Sequence, residues 1–180
     1  MMVATERSFL RRGVGAALLD AQVYEEVEAD RGANLQAAAV VALSSIAAGV
    51  GSIANHGAVG ALWYTAVALL AWYVWAAVAC WIGTRILPGP DTRADVGELL
   101  RTIGFSSAPG VLRILALFAP TAALVFLACT LWMLVAMVIA VRQALDYEST
   151  GRALAVCAIG FPFYAIPLAL SLFLLGPWPI

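Results

Sequence analysis

Residues 105–141 read FSSAPGVLRILALFAPTAALVFLACTLWMLVAMVIAV, and this apolar stretch decides how many times the chain crosses a membrane. A single helix over residues 111–141 would be about 46 Å long, whereas the hydrocarbon core of a bilayer is about 30 Å thick. Pro120 would also interrupt that helix, because proline lacks the amide hydrogen and clashes with the preceding turn. The stretch therefore predicts two crossings, residues 105–118 and 121–141, of which the first is short or spans half of the bilayer.

The composition places the rest of the chain in lipid as well. Of its 180 residues, 63% are hydrophobic and only 12% are charged, and the mean hydropathy is +0.93. A soluble domain has about 25% charged residues, so this chain cannot cover its apolar surface in water. The net charge is -1 and all ten basic residues are arginines without a basic block, which argues against a nucleic-acid partner.

The charge-free gaps on either side of the central stretch predict three more spans. A helix needs about 20 residues to cross a bilayer, and the gap between Arg31 and Arg85 is long enough for two. We predict these spans at residues 35–54 and 59–82, with a turn around Asn55 and His56. The gap after Arg152 predicts the last span, at residues 153–176.

The polar segments predict two amphipathic helices on one side of the membrane. Residues 1–34 form an N-terminal arm in which apolar residues recur at helical spacing, namely Val14, Leu18, Ala21, Tyr24 and Val27. Before the third span, Asp91 or Thr92 can cap a second helix that ends at Gly104. The remaining residues, 35–180, are predicted to form one transmembrane domain.

The positions of the arginines choose between four and five spans. If residues 105–141 cross twice, every arginine except Arg113 falls on one side, whereas a single crossing would put Arg142 and Arg152 opposite the others. Positive residues favour the cytoplasmic side of short loops. We therefore predict an all-α polytopic protein with five spans, a cytoplasmic N-terminus and an external C-terminus, with four spans as the alternative.

Several motifs outside the apolar spans are similar to those of a known family. They are VYEEV at residues 23–27, ELLRTIGFSSAP at 98–109, Pro120, Trp132, AVRQAL at 140–145, and Arg152 with Ala153. In these motifs the chain resembles the Ypt-interacting-protein (Yip) domain family, in its bacterial branch, over most of its length. The resemblance implies five spans and a place in the bacterial cytoplasmic membrane. The link of eukaryotic members to Rab-type GTPases and vesicle traffic is not carried over, because the N-terminal arm is short.

The candidate contact residues are three arginines. Arg113 lies inside the third span, where an unpaired arginine is costly unless it snorkels to the interface. We predict that Arg113, with Arg101 and Arg142 at the same face, binds an anionic lipid headgroup or a carboxylate of a partner, since guanidinium groups bind both in a bidentate manner. Structural bends are predicted at Gly104, Pro109, Pro120, Pro162 and Pro167.

The motifs that carry enzyme chemistry are not found in the sequence. His56 is the only histidine, the three cysteines are scattered, and no span contains an acidic residue, so we expect no catalytic residue, cofactor or metal. The expected function is that of a non-enzymatic scaffold or accessory subunit that binds lipid and other membrane proteins or further copies of itself. The alternative is a small-molecule or lipid transporter or scramblase, with helices broken at Pro120, Pro162 and Pro167.

Overall fold

The computed structural model describes residues 8–50, 53–117 and 122–175, and the side chains of residues 8–48, 65–117 and 122–163. Within these residues the fold is helical and contains no strand, so the predicted all-α class is confirmed. The elements are α1 (Phe9–Ala17), α2 (Ala21–Ala29), α3 (Ala33–Val50), α4 (Ile53–Trp81), a π-helix (Ile82–Ile86), α5 (Val96–Ser106), a 3-10 helix (Ala108–Leu117), α6 (Ala122–Ala144) and α7 (Thr150–Leu175).

The N-terminal arm consists of two short helices, which corrects the prediction of one. The chain turns because Leu19 adopts a left-handed conformation, with φ at 64°. Asp20 then starts α2 by accepting a hydrogen bond from the amide of Gln22, at 3.0 Å. The predicted apolar face is divided as a result, since Tyr24 is fully buried while Val14 is 60% exposed.

Helix α4 begins earlier than predicted. It starts at Ile53, six residues before the predicted span at 59–82, so Asn55 and His56 lie within its first turns and not in a connecting turn. Asparagine and glycine have low helix propensity, but tertiary contacts can override this preference. At its other end α4 continues directly into the π-helix.

Helix α5 starts later than predicted, with a reciprocal cap in place of Asp91 or Thr92. The side chain of Asp95 accepts from the amide of Glu98 at 2.9 Å, and the Glu98 carboxylate accepts from the amide of Asp95 at 2.8 Å. This capping box satisfies two amides that the first turn leaves without helical partners. Its sequence signature, Asp and Glu three residues apart, is present at residues 95–98.

The third pass changes helix type near the predicted bend. Helix α5 continues through Gly104, the predicted end, to Ser106, and after Ser107 the chain runs on as the 3-10 helix that contains Pro109. Gly104 and Pro109 thus stand on either side of the change. Gly104 also allows a close approach, because a Cβ atom there would lie 2.7 Å from the Cβ of Ala37.

Contacts between helices give the direction of each pass. The indole of Trp72 donates to the carbonyl of Leu100 at 3.0 Å, and the thiol of Cys80 lies 3.7 Å from the carbonyl of Ala94, so α4 and α5 are antiparallel. Four further pairs order the other elements: Ala37 with Gly104, Ser44 with Gly110, Trp75 with Met137, and Gly83 with Leu145. They make α3 parallel to α5 and the 3-10 helix, and α4 parallel to α6. Tyr147, just before α7, bonds to Leu87, and Gly160 within α7 lies beside Trp75, so α7 is antiparallel to α4. These five helical segments therefore alternate in direction along the chain.

The length and apolarity of two segments are sufficient to cross a membrane: Thr65–Ile86 and Ala122–Ala144. Shorter apolar helices cover Ala33–Ala48 and Thr150–Phe163. Helix α7 is continuous through Pro162 and Pro167, so neither proline ends it, and Pro120 lies outside the described residues. Proline is tolerated inside such helices where neighbouring groups satisfy the freed carbonyls.

Two apolar clusters hold the elements together. One joins α4, α5, α6 and α7 around Ile82, Leu99 and Leu145. The other joins the arm to the bundle, with Val23, Tyr24 and Val27 of α2 against α3, α5 and α6. The arm therefore packs on the bundle instead of extending away from it.

Candidate functional site

Arg101 fastens the arm to the bundle. Although charged, it is only 4% exposed, and its Nε lies 2.9 Å from the carbonyl oxygens of both Val27 and Glu28. A second guanidinium nitrogen also donates to Glu28. These carbonyls belong to the last turn of α2, where helical partners are missing and the helix dipole is negative. A buried cation on α5 thus caps α2.

Arg12 makes a second buried contact at the same end of the molecule. It is 4% exposed and lies 2.9 Å from the carboxylate of Glu26 and 2.7 Å from that of Asp30. It also donates to the side chain of Gln36 at 3.1 Å. The hydrogen bond from Arg12 holds the pKa of Asp30 below its usual value. Arg12 thereby ties α1 to α2 and to the start of α3.

The end of α6 is fixed by a Schellman motif. Asp146 takes the left-handed conformation, with φ at 50°, and the amides of Asp146 and Tyr147 donate to the carbonyls of Gln143 and Arg142, each at 2.9 Å. The Arg142 side chain then donates to the carbonyls of Tyr147 and Glu148, each at 3.1 Å. The connection between α6 and α7 is therefore held from both its backbone and a side chain.

Tyr147 and Thr92 link this connection to the segment between the π-helix and α5. The Tyr147 hydroxyl lies 2.6 Å from the carbonyl of Leu87, and burial raises the pKa of this phenol. The Thr92 hydroxyl donates to the carbonyl of Leu145 at 2.8 Å. The α6–α7 connection and the segment before α5 are consequently fixed relative to each other.

The fixed segments surround a polar recess of about 420 Å³. It is lined by Glu25, Asp91, Arg142, Gln143, Asp146, Tyr147 and Glu148. The amide of Gln143 donates to Glu25 at 2.9 Å and closes the side next to α2. A neighbouring recess of about 320 Å³ shares the α6–α7 connection and extends to Arg152. Four carboxylates against one guanidinium make the larger recess negative.

Glu28 lies close to this negative region. Burial raises its pKa to about 7, and the nearby carboxylates of Asp146, Glu98 and Glu25 add to the rise, while Arg101 opposes it. The protonated form is therefore favoured at the junction of the arm with the bundle. This carboxyl group titrates near neutral pH.

Arg113 lies elsewhere, beside α6. Its guanidinium donates to the hydroxyl of Thr130 at 2.9 Å and stands 5.6 Å from the ring centre of Phe126. Thr130 precedes Arg142 by 12 residues, which is about 18 Å along the helix. The structure therefore does not bring Arg101, Arg113 and Arg142 into one cluster, and the donors of Arg101 and Arg142 described above are directed to carbonyls of the chain.

Sequence reasoning missed Arg12, Tyr147 and the recess. Arg12 carried a weak signal, since it shares a helical face with Ala16, a residue of the buried side. Tyr147 and Glu25 carried none, because their neighbours in the fold are distant in the sequence. In the part of the chain that the structure describes, no group of three or more His, Cys, Asp or Glu residues could hold a metal ion.

The described part of the chain is helical, and two of its helices are long and apolar enough to cross a bilayer. These features define the class of helical membrane proteins. The comparison with protein families gives the particular family. The model of the Yip1 domain matches residues 21–172, and the chain therefore belongs to the Yip1 domain family. No curated protein and no solved structure matches the chain.

Proposed function

We propose that this protein is a non-enzymatic scaffold or accessory subunit of the bacterial cytoplasmic membrane, which binds other membrane proteins through its polar end. Five spans, with the N-terminus in the cytoplasm and the C-terminus outside, are part of this proposal. The alternating directions of the five passes support it. So does the position of the described charged residues, which apart from Arg113 lie at the ends of the passes on one side.

The polar recess is the observation that carries the proposal. Its walls come from α2, from the segment before α5 and from the α6–α7 connection, and the bonds of Tyr147, Thr92 and Arg142 hold these walls in place. A surface that is ordered before binding loses less entropy when a partner docks. The arm helps to build the recess, because Arg101 and Arg12 keep α2 in position.

The charge of the recess indicates the chemistry of the partner. Short cytoplasmic loops of membrane proteins are rich in lysine and arginine. A neighbour in the same membrane therefore presents cationic segments at the depth of the recess, where Glu25, Asp91, Asp146 and Glu148 provide carboxylates. We propose that a juxtamembrane basic loop of another membrane protein occupies it.

The test is purification of the tagged chain in mild detergent, followed by reconstitution with the component that accompanies it in stoichiometric amount. Asp91 and Glu148 are exposed, so the double variant Asp91→Asn, Glu148→Gln removes two charges without disturbing a described bond. Each exposed ion pair contributes about 0.2–1 kcal/mol, and for two pairs we expect about 2- to 30-fold weaker binding.

The matched control adds the same charge outside the recess. The variant Gln22→Lys, Ala29→Lys changes two exposed positions of α2 and is expected to bind as the wild type does. Equal weakening by both double variants would contradict docking in the recess. A chain that purifies only with copies of itself and moves lipid or solute across liposomes would contradict the scaffold function and favour a transporter.

A further inference from the structure

Helix α1 has two opposite faces, and within residues 8–48, 65–117 and 122–163 only one of them is buried against the protein. Arg12 and Ala16 are buried against the arm and the bundle. Leu10, Val14 and Leu18 are 74%, 60% and 70% exposed. At about 100° per residue these three leucine and valine side chains are centred about 180° from the buried pair. An apolar stripe thus runs along the whole outer side of α1.

The carbonyl groups in the last turn of α1 have hydrogen-bond donors from the protein and do not depend on water. The carbonyls of a final helical turn lack helical partners and are normally hydrated. Here the carbonyl of Val14 accepts from the amide of Leu18 (2.9 Å), that of Gly15 from Asp20 (3.0 Å), and that of Ala16 from Leu19 (3.1 Å). The Ala16 carbonyl also accepts from the hydroxyl of Tyr24, at 3.0 Å.

The carbonyl of Ala17 accepts a hydrogen bond from a membrane-crossing segment. The indole nitrogen of Trp132 on α6 lies 2.7 Å from it. Trp132 lies within Ala122–Ala144, one of the two segments long and apolar enough to span a bilayer, and 12 residues before its end. The end of α1 therefore lies beside the apolar part of α6, well away from the polar recess.

The surface around this contact is apolar too. Leu131, Leu134 and Val135 of α6 are between 51% and 54% exposed, and α1 packs against the 3-10 helix, where Leu112 and Leu115 are 41% and 52% exposed. The elements that α1 packs against thus expose apolar side chains of their own. In hydrocarbon an unsatisfied carbonyl is costly, and the described carbonyls of the last turn are all satisfied by the protein.

We propose that α1 is embedded in the membrane, with Leu10, Val14 and Leu18 inserted among the acyl chains of the leaflet at the polar end of the bundle. Arg11, exposed at the edge of the stripe, reaches toward the headgroup phosphates. Amphipathic helices bind membranes by burying their apolar face among the acyl chains. The occupant of the stripe is lipid, and this assignment does not depend on the function proposed for the recess.

Spin labels test the assignment. In a background with Cys80→Ser, Cys129→Ala and Cys157→Ala, single variants Leu10→Cys, Val14→Cys and Leu18→Cys are labelled in nanodiscs of phosphatidylethanolamine and phosphatidylglycerol. Collision with oxygen, which dissolves in the bilayer, is compared with collision with a water-soluble nickel chelate. We expect at least a tenfold preference for oxygen at all three sites and the reverse at Gln22→Cys, an exposed polar position of α2.

Two results would overturn the assignment. High collision with the nickel chelate would place the stripe in water, and low collision with both reagents would place it under another protein chain. If the cysteine-free background does not fold, a photoreactive benzoylphenylalanine at position 14 of the native chain gives the same decision. A lipid adduct in the mass spectrum supports the proposal, and a crosslink to a second copy or to another protein refutes it.

Discussion

Helix α5 joins two neighbours in two different ways. At Arg101 it holds α2 by directional bonds, from a buried guanidinium to the carbonyls of Val27 and Glu28. At Gly104, one turn later, it contacts α3 closely, because Ala37 occupies the space that a side chain at position 104 would need. The first contact, the arm joint, fails when a group is removed. The second, the small-residue seam, fails when a group is added.

The difference follows from the surroundings of each contact. The arm joint lies at the polar end, where a carbonyl without water needs a donor from the protein. The seam lies where the backbones of α5 and α3 come close together, so its van der Waals attraction depends on how closely the two helices approach. Helix α5 therefore needs a hydrogen-bond donor at position 101 and a residue without a side chain at position 104.

The largest effect is expected from Arg101→Met, which keeps an unbranched apolar stem and removes the guanidinium donors. The carbonyls of Val27 and Glu28 would be buried without partners, and hydrogen bonds to charged groups contribute about 1.5–3 kcal/mol each. We expect a loss of about 3 kcal/mol in the free energy of unfolding, measured by denaturant titration in detergent micelles. Arg93→Met, at an exposed arginine, is the control. Equal stability of the two variants would show that the joint is held by apolar contacts alone.

Gly104→Ala tests the seam and is expected to cost about 2 kcal/mol, the usual range for overpacking. The added methyl group would meet the Cβ and the backbone of Ala37, which have no rotamer to move into. Gly13→Ala is a matched control, because nothing lies within 4 Å of a Cβ there. In the control the better helix propensity of alanine should raise the melting temperature. A Gly104→Ala variant that also gained stability would contradict close packing as the basis of the seam.

A smaller effect, a gain, is expected at the corner between α1 and α2. Leu19 has a left-handed backbone, which costs an L-residue about 1 kcal/mol that glycine avoids. Leu19→Gly should therefore raise the unfolding free energy of the arm by up to about 1 kcal/mol, as measured by hydrogen exchange of the α2 amides. Leu18→Gly, at a φ of -79°, should not stabilise the arm. If both variants behave alike, conformational strain does not determine the corner.

The smallest effect is a dependence of the arm joint on pH. The pKa of Glu28 is about 7 in the folded chain and lies near 4.5 when unfolded, so the folded state binds the extra proton between these values. Stability is then greater near pH 5 and declines as the pH rises to 7. Solvent screening at this half-buried group keeps the change below about 1 kcal/mol. Hydrogen exchange of α2 at pH 5 and pH 8 measures it, and Glu28→Gln should remove the difference while the seam stays unaffected.

Parts of this fold could be predicted because they depend on neighbours in the sequence. The apolar run of α6 is such a local pattern, and so is the capping box at residues 95–98, although Asp91 or Thr92 was predicted as the cap. The arginine distribution predicted five spans, and that number stays a prediction. The start of α4 and the division of the arm were not predicted. In both places the deciding contacts come from other helices, and local propensity is too weak to oppose them.

The candidate site shows the same division. Arg113 was predicted to share a face with Arg101 and Arg142, but it lies beside Thr130, about 18 Å along α6 from Arg142. A sequence gives the order of the arginines and not the angle at which each helix presents them. The contact of Arg113 with a headgroup or a partner stays a prediction.

By itself the sequence determined that this chain is helical and associates with a membrane, and it predicted that its charges, apart from that of Arg113, gather at one end. These properties follow from composition and from the cost of placing charges and unpaired backbone groups in hydrocarbon. Only the tertiary structure decided that Arg101 caps α2, that Gly104 packs against Ala37, and that three separate segments line a recess. Such contacts join residues far apart in the chain, and their geometry is set by how the helices pack.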